Sequence, residues 1–488
     1  MGWLSSKVIS NKPVLSPAKM KLLERYAQGS SMEACTPIRK RPAAEPILLS
    51  RFQEEIWQDS QDGKRVPSFY NESTTIHRYG ELNRKAMELA FTEILRRHEA
   101  WRTVFDTLNR HPIQVIRPIP SSFSIPFVDL RKVSANSRWQ EAMRLASEDA
   151  RRPFDLTKGP LVRAFLTTLD EHRHSLFVTM HQSITDGLSV YQILPFELSA
   201  LYSKYSGGDS CKLPDLPMQY ADLAYWDRAR NQEVTFEEDL AFWRKELAGE
   251  IPKLIWPSET TPSSGATRRG AIQAFALPTQ LCRSLTEASK REGVTLFMML
   301  LAGFALLLHY YTESEDIVTG TVAPTGRKTA EAGKLLGYFL NPVALRVDVS
   351  GDPTVRDVLR ECRRVTSEAL SHDSIPFGIV REHLKPQTPT QLWPFNTAIT
   401  LAPPLPTLGD EWSQTSMDCD CEWAKWDLYL EFAQRPNEVL GRAQYQTDAF
   451  SSVIILRLIE DLEKVLDGMA GNSDQRISQL RRVYENRQ

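Results

Sequence analysis

The run LFMMLLAGFALLL, from Leu296 to Leu308, constrains this chain more than any other stretch. A helix built from it has no polar face to offer water, so it must be enclosed on every side. It is also too short to cross a bilayer, which takes about 20 apolar residues. The run therefore reads as a buried core helix. A chain of 488 residues, 42% hydrophobic and 25% charged, can build two or three cores of that kind.

Charge and cysteine usage exclude several classes. A net charge of -2 leaves no electrostatic footprint for nucleic acid. The one basic run, Arg39-Lys40-Arg41, reads as a solvated linker. The six cysteines (Cys35, Cys211, Cys282, Cys362, Cys419 and Cys421) show no CxxC pairing, and no histidine lies near Cys419 and Cys421. Free thiols in a reducing cytosol are expected, and no metal site. The opening MGWLSSKVISNKP lacks the apolar core of a signal peptide, so a soluble, cytoplasmic protein with no membrane partner is expected.

The pattern becomes regular at Pro46. LNRKAMELAFTEILRRHEAW places Leu82, Met87, Leu89, Phe91, Ile94 and Leu95 at helical spacing. HPIQVIRP and SLFVTMH are short β-rich runs that read as strands. LSVYQILPFELSALYSKY returns to helical spacing, with a kink expected at Pro195. A Gly-, Ser- and Pro-rich stretch, SGGDSCKLPDLP, then separates two parts of similar size. Beyond it lie a charged helix (FEEDLAFWRKELAG), the buried helix, the strands DIVTGTV, NPVALRVDV and NTAITLA, and a final helix, SSVIILRLIEDLEKVLDGM. The expected division is residues 1–45 as an N-terminal extension, 46–205 as one lobe and 206–488 as a second. The fold class is α/β.

The most informative short stretch is HQSITDG, residues 181–187. It joins a strand to a helix, and its local reading is plain: Asp186 caps the helix and Gly187 relaxes the turn. A second reading comes from the order of segments along the chain. LLSRFQEEIW, RRHEAWRTVF, RRPFDLTKGPLVR, HQSITDGLS, LPMQYADLAYW, DIVTGTVAPTGR, LLGYFLNPVALR, HDSIPFGIV and AKWDLYLEF follow one another from Pro46 almost to the end. In that order they resemble the condensation domain of nonribosomal peptide synthetases, within the superfamily of chloramphenicol-acetyltransferase-like acyltransferases. The resemblance implies two such lobes in a V-shaped pseudo-dimer around a central tunnel. It implies no bound cofactor. The donor would be a phosphopantetheine thioester on the carrier domain of a peptide or polyketide synthase, or coenzyme A, and the acceptor a small molecule. A monomer is expected.

The family motif reads His-His-x-x-x-Asp-Gly, and its second histidine faces the reacting atoms. Here that position is Gln182, and His181 matches the first, structural histidine. Neighbouring side chains on a strand point to opposite faces, so His181 is expected to face away from the tunnel. Glutamine cannot accept a proton, but it can orient a nucleophile or donate to an oxyanion. Without a base at this position, transfer would rely on an acceptor amine that arrives neutral, and no ionisation near the ~6.5 of an ordinary histidine is expected. Asp186 is expected to pair with a buried arginine, either Arg102 or Arg327. Asn341 and Arg346 would fix the crossing between lobes, and Ser189, Trp423 and Trp426 would border the tunnel. The function expected is a stand-alone condensation-type acyltransferase of secondary metabolism, forming an amide ahead of an ester. Two alternatives remain: an intramolecular cyclisation catalyst that uses the tunnel as a shaped cavity, and a non-catalytic module that recruits partners to a synthase.

Overall fold

The apolar run forms the helix Leu296–Thr312, capped by the Thr295 hydroxyl accepting from the Met298 N–H, and its side chains from Met299 to Leu308 are almost all buried. Gly303 lets the helix Ser452–Gly471 pack against it: a Cβ there would sit 2.4 Å from Leu466 Cδ2. Among the described residues no single helix is long and apolar enough to cross a membrane.

The computed structural model describes residues 38–485, apart from 43–44, 62–67, 69, 209–212, 230–232, 253, 255, 257–268, 385–393, 405–407, 417–421 and 436–437. The chain divides into two compact units, Met1–Arg39 and Lys40–Gln488, and the second holds the sheets and the site. Cys35, Cys211, Cys419 and Cys421 lie outside the described residues, as does most of the N-terminal extension; Cys282 and Cys362 are buried free thiols. Arg41 is not a solvated linker residue. Its guanidinium bonds Asp222 at 2.9 Å and Glu99 at 2.8 Å, so the chain is already tied to the body before Pro46.

Fourteen strands are described: β1 Ile47–Leu48, β2 Asn71–Tyr79, β3 Thr103–Leu108, β4 His111–Ile116, β5 Phe127–Asp129, β6 Val162–Thr168, β7 Arg173–His181, β8 Gly270–Leu277, β9 Asp316–Ala323, β10 Asn341–Asp348, β11 Thr397–Ala402, β12 Trp412–Ser416, β13 Leu428–Arg435 and β14 Glu438–Gln446. They form a three-stranded sheet (β1-β4-β3), a five-stranded sheet (β12-β2-β7-β6-β5) and a six-stranded sheet (β10-β9-β11-β13-β14-β8). Helices cover these sheets. The α/β class follows from this mixture, and each half of the chain centres on its own larger sheet.

The boundary expected at residue 206 is crossed by one strand. β12, from the second half, pairs antiparallel with β2 and becomes the edge of the first sheet. Gln414 explains the hold: its amide donates to Thr74 Oγ1 and to the Val190 carbonyl, both at 2.8 Å. The segment around Gly337 makes a second crossing. Leu336 N donates to His98 Nδ1 and Gly337 N donates to Ser189 Oγ, while the Tyr220 hydroxyl, from within the second half, holds the same segment by donating to the Tyr338 carbonyl at 2.6 Å.

One detail of the helix reading changes. Leu89 is 37% exposed, because at 100° per residue it lies on the far side from Met87, Phe91 and Ile94. Helical geometry runs from Gly187 through a π-helical turn, Ser189–Ile193, into the α-helix Leu194–Tyr205, whose second residue is Pro195, so the irregular turn lies directly before the proline.

Candidate functional site

β7 ends at His181, and Gln182–Ile184 form a single 3-10 turn before the next helix. The ladder continues one step past the strand, since Gln182 N donates to the Tyr70 carbonyl at 2.7 Å. Gln53 anchors the turn from beneath, donating to the Ser183 carbonyl at 2.8 Å. The bend sends the two motif side chains apart. Gln182 borders a cavity of about 380 Å³, whereas His181 is buried with its ring edge-on to Tyr70 and Phe154. The Ser183 N–H points at His181 Nδ1 (3.3 Å), which makes Nδ1 an acceptor and leaves the ring proton on Nε2. Burial pushes the His181 imidazole down to about 3, so it is neutral and enclosed at any working pH.

Asp186 pairs with Arg327, not Arg102. Arg327 Nε donates to Oδ2 at 2.7 Å and Nη2 to Oδ1 at 2.6 Å, and the Ser189 N–H caps Oδ1 at 2.8 Å. Both expected roles, helix cap and buried ion pair, therefore fall on one carboxylate. Arg327 also donates to the Ala332 carbonyl and lies 4.1 Å from the centre of the Phe339 ring. Arg102 instead donates to the Arg117 carbonyl, a neighbour across its own hairpin, and stays near Glu99.

Other expected placements are corrected. Ser189 is fully buried in the seam, bonded to Arg327 and Gly337, and it does not border the cavity. Asn341 holds the loop before the helix Phe377–Leu384. Its amide donates to the carbonyls of Asp373 and Ile375, and its oxygen accepts from the Phe377 N–H. Arg346 binds Asp316 and the carbonyls of Glu246 and Ala248. Both brace the second half from within, and neither spans the lobes. Trp423 and Trp426 do border the cavity. So does Gly187, whose φ is not positive and whose Cβ would meet Pro403 and Tyr191 at 3.6 Å, an ordinary contact. The turn itself needs no glycine.

The cavity takes its walls from both halves of the chain. Asn71, Glu72, Gln182 and Tyr191 face Leu340, Ala402, Trp426 and Tyr429 across it. Sequence reasoning missed its charged lining. Glu431 and Arg442 are opposite one another on β13 and β14 and pair at 2.9 Å, and the Tyr191 hydroxyl reaches Glu431 at 3.3 Å. Glu72, the second residue of β2, borders the same cavity. The signal for the ion pair lay in the strand register: with Arg435 opposite Glu438, Glu431 falls directly across from Arg442. Nothing in NESTTIHRY distinguished Glu72 from an ordinary exposed strand carboxylate.

With the geometry established, the comparisons with known proteins give it a setting. Residues 43–488 match the family model described as Condensation domain. The chain is 34% identical over 465 residues to chondramide synthase cmdD of Chondromyces crocatus, covering 93% of this chain and 12% of that protein. It is 33% identical over 470 residues to phosphinothricin tripeptide synthetase PhsC of Streptomyces viridochromogenes, covering 94% and 42%. The chain thus spans less than half the length of these curated relatives. Among solved structures, the first condensation domain of the calcium-dependent antibiotic synthetase, in complex with a substrate analogue, superposes with a TM-score of 0.77 at 18% identity, over 90% of this chain and 99% of that one. The starter condensation domain of rhizomide synthetase, in complex with C8-CoA, gives 0.72 at 19% identity, over 88% and 96%. The fold is the two-lobed, chloramphenicol-acetyltransferase-like one.

Proposed function

Because this chain belongs to the condensation-domain family of nonribosomal peptide synthetases, we propose that it transfers an acyl group from a carrier-bound phosphopantetheine thioester, or from coenzyme A, to an amine held beside Gln182. Condensation domains are in general amide-forming acyltransferases that act on carrier-bound thioesters. The observation that carries the reading to this chain is the cavity between its two large sheets, with the motif turn on its wall and the Asp186–Arg327 pair fixing that turn.

The residues present limit the chemistry. His181 is buried away from the cavity, so it takes no part in proton transfer, and its role is to hold the turn. The Gln182 amide oxygen can accept from an N–H of the amine and orient its lone pair toward the thioester carbonyl. A thioester is a good acyl donor, and holding it against an amine lowers the barrier by proximity alone. The acceptor is a small molecule in this reading, and the donor carrier belongs to a peptide or polyketide synthase of secondary metabolism. The chemistry is the same for a chain working in trans and for a segment of a larger synthetase.

The test supplies acyl-pantetheine thioesters of graded chain length together with a panel of amino-acid amides, and detects product by mass spectrometry. Amide formed faster than in buffer supports the reading. Thioester consumed to a cyclic product with no amine incorporated would favour the cyclisation alternative, and no consumption of any donor would favour a non-catalytic role.

A further inference from the structure

Glu72 differs from every other carboxylate on this cavity wall. Asp186 is locked to Arg327, and Glu431 to Arg442 and Tyr191. No hydrogen bond reaches the Glu72 carboxylate from any described residue, although it borders the cavity with Gln182. The strand register brings the two together. Asn71 lies opposite His181, Glu72 lies opposite Met180, and the Gln182 N–H extends that ladder to Tyr70. Glu72 and Gln182 are therefore diagonal neighbours across the β2–β7 pair, with Cα atoms about 7–8 Å apart, within reach of long side chains.

We propose that Glu72 captures the ammonium group of the acceptor and takes its proton, so that the cavity supplies the base that Gln182 cannot be. The proposal deepens the acyl-transfer reading and rests on it. The steps balance. The acceptor R–NH3+ gives one proton to the Glu72 carboxylate and becomes R–NH2. Its lone pair forms the C–N bond as the thioester C–S bond breaks, and the second N–H proton leaves with the thiolate to give the free thiol. Glu72 then returns its proton to solvent.

The electrostatics are consistent with this use. Burial pushes the Glu72 carboxyl up to about 7; Arg442 and Lys425 oppose the rise and Glu431 adds to it. The phenols of Tyr191 and Tyr429 also face this charge, and both are held neutral by burial. A base whose affinity for protons lies near the working pH is the most effective kind at neutrality. The surrounding wall of Tyr191, Leu340, Trp426 and Tyr429 would take an apolar substituent on the amine.

The experiment is calorimetry on the full chain with n-hexylamine and its neutral counterpart n-hexanol at pH 7, in buffers of different ionisation heat. A carboxyl with a pKa near 7 is half protonated there. An ammonium bound to it shares a single proton with it, so about half a proton is released per amine, wherever that proton sits. We expect wild type to bind hexylamine with this release and hexanol with none. Glu72→Gln should bind hexanol as wild type does, which shows the cavity intact, while hexylamine binds about tenfold more weakly with no proton released. Equal hexylamine affinity and proton release in Glu72→Gln would overturn the proposal, and so would a wild type that takes up no hexylamine. Proton-linked amine capture in a chain that forms no amide would keep the Glu72 site and defeat the acyl-transfer reading. Amide formation with the same pH profile in wild type and Glu72→Gln would do the reverse.

Discussion

Asp186→Asn should destabilise the protein by about 3–5 kcal/mol. The wild-type carboxylate side chain is 0% exposed and the Arg327 guanidinium 5% exposed, and two charge-assisted bonds join them. Asparagine keeps the shape, but it carries no charge and offers one oxygen where the carboxylate has two. Its one oxygen can keep the two bonds that Oδ1 accepts, from the Ser189 N–H and Arg327 Nη2, but its NH2 then faces the Arg327 Nε–H, another donor. Breaking a buried pair by removing one partner costs about 3–5 kcal/mol, because the other charge stays desolvated. An exposed helix cap alone would cost only about 1 kcal/mol. The assay is urea unfolding followed by tryptophan fluorescence. The single variants Asp186→Asn and Arg327→Met should each shift the midpoint strongly. The double variant should lose less than the sum, by about 2–3 kcal/mol, since neither charge is then stranded. An unchanged midpoint for Asp186→Asn, or strict additivity in the double variant, would refute the reasoning.

Three further outcomes follow from the same structure. His181 is neutral when folded, with its pKa depressed, so its stabilising contribution is present above about 6.5 and is lost as pH falls towards 3; that loss amounts to at most about 1.4 kcal/mol per pH unit. Unfolding midpoints between pH 7 and 4 should therefore fall less steeply in His181→Gln. Glu72 has the opposite sign: its folded pKa is raised, so its contribution is lost as pH climbs from about 4.5 through 7. Glu72→Gln should match wild type in stability below pH 4.5 and exceed it by up to about 3 kcal/mol at pH 8, read from the same denaturation curves. Gly337→Ala would place a Cβ 2.2 Å from the Tyr220 ring, and this overpacking of the seam should cost about 1–3 kcal/mol in thermal or chemical melts.

Periodicity made the helices and most strands legible. The apolar run was a buried helix, and HPIQVIRP, SLFVTMH and NPVALRVDV were strands, because burial on one face or on all faces leaves a mark in composition. Long-range partnership leaves no such mark. The choice of Arg327 over Arg102 depends on which arginine the chain returns to Asp186 from 141 positions away, and β12 joins a sheet whose other strands lie far earlier in sequence. Asn341 and Arg346 bear the polar atoms expected of a lobe clamp, yet their partners lie within one half. Ser189 follows the motif turn on the tunnel side of the expected fold, yet the π-helical turn directs it into the seam. Glu72 was invisible for a different reason. A carboxylate on a strand is usually solvated, and only the closing of the second half over β2 turns this one into a cavity group.

The central claim is that acyl transfer proceeds beside a residue that cannot act as a base. The most direct measurement is the pH–rate profile of amide formation from a loaded carrier, for wild type, Gln182→Ala and His181→Ala. The account predicts that Gln182→Ala slows transfer by about tenfold or less, about 1.4 kcal/mol of lost positioning, with the shape of the profile unchanged. His181→Ala should lower stability while leaving the ionisations of the folded fraction in place. A loss of ~10²–10⁴ in folded Gln182→Ala, the size expected for a positioned acid or base, would contradict the account. So would a folded His181→Ala variant that loses turnover together with an ionisation near neutrality.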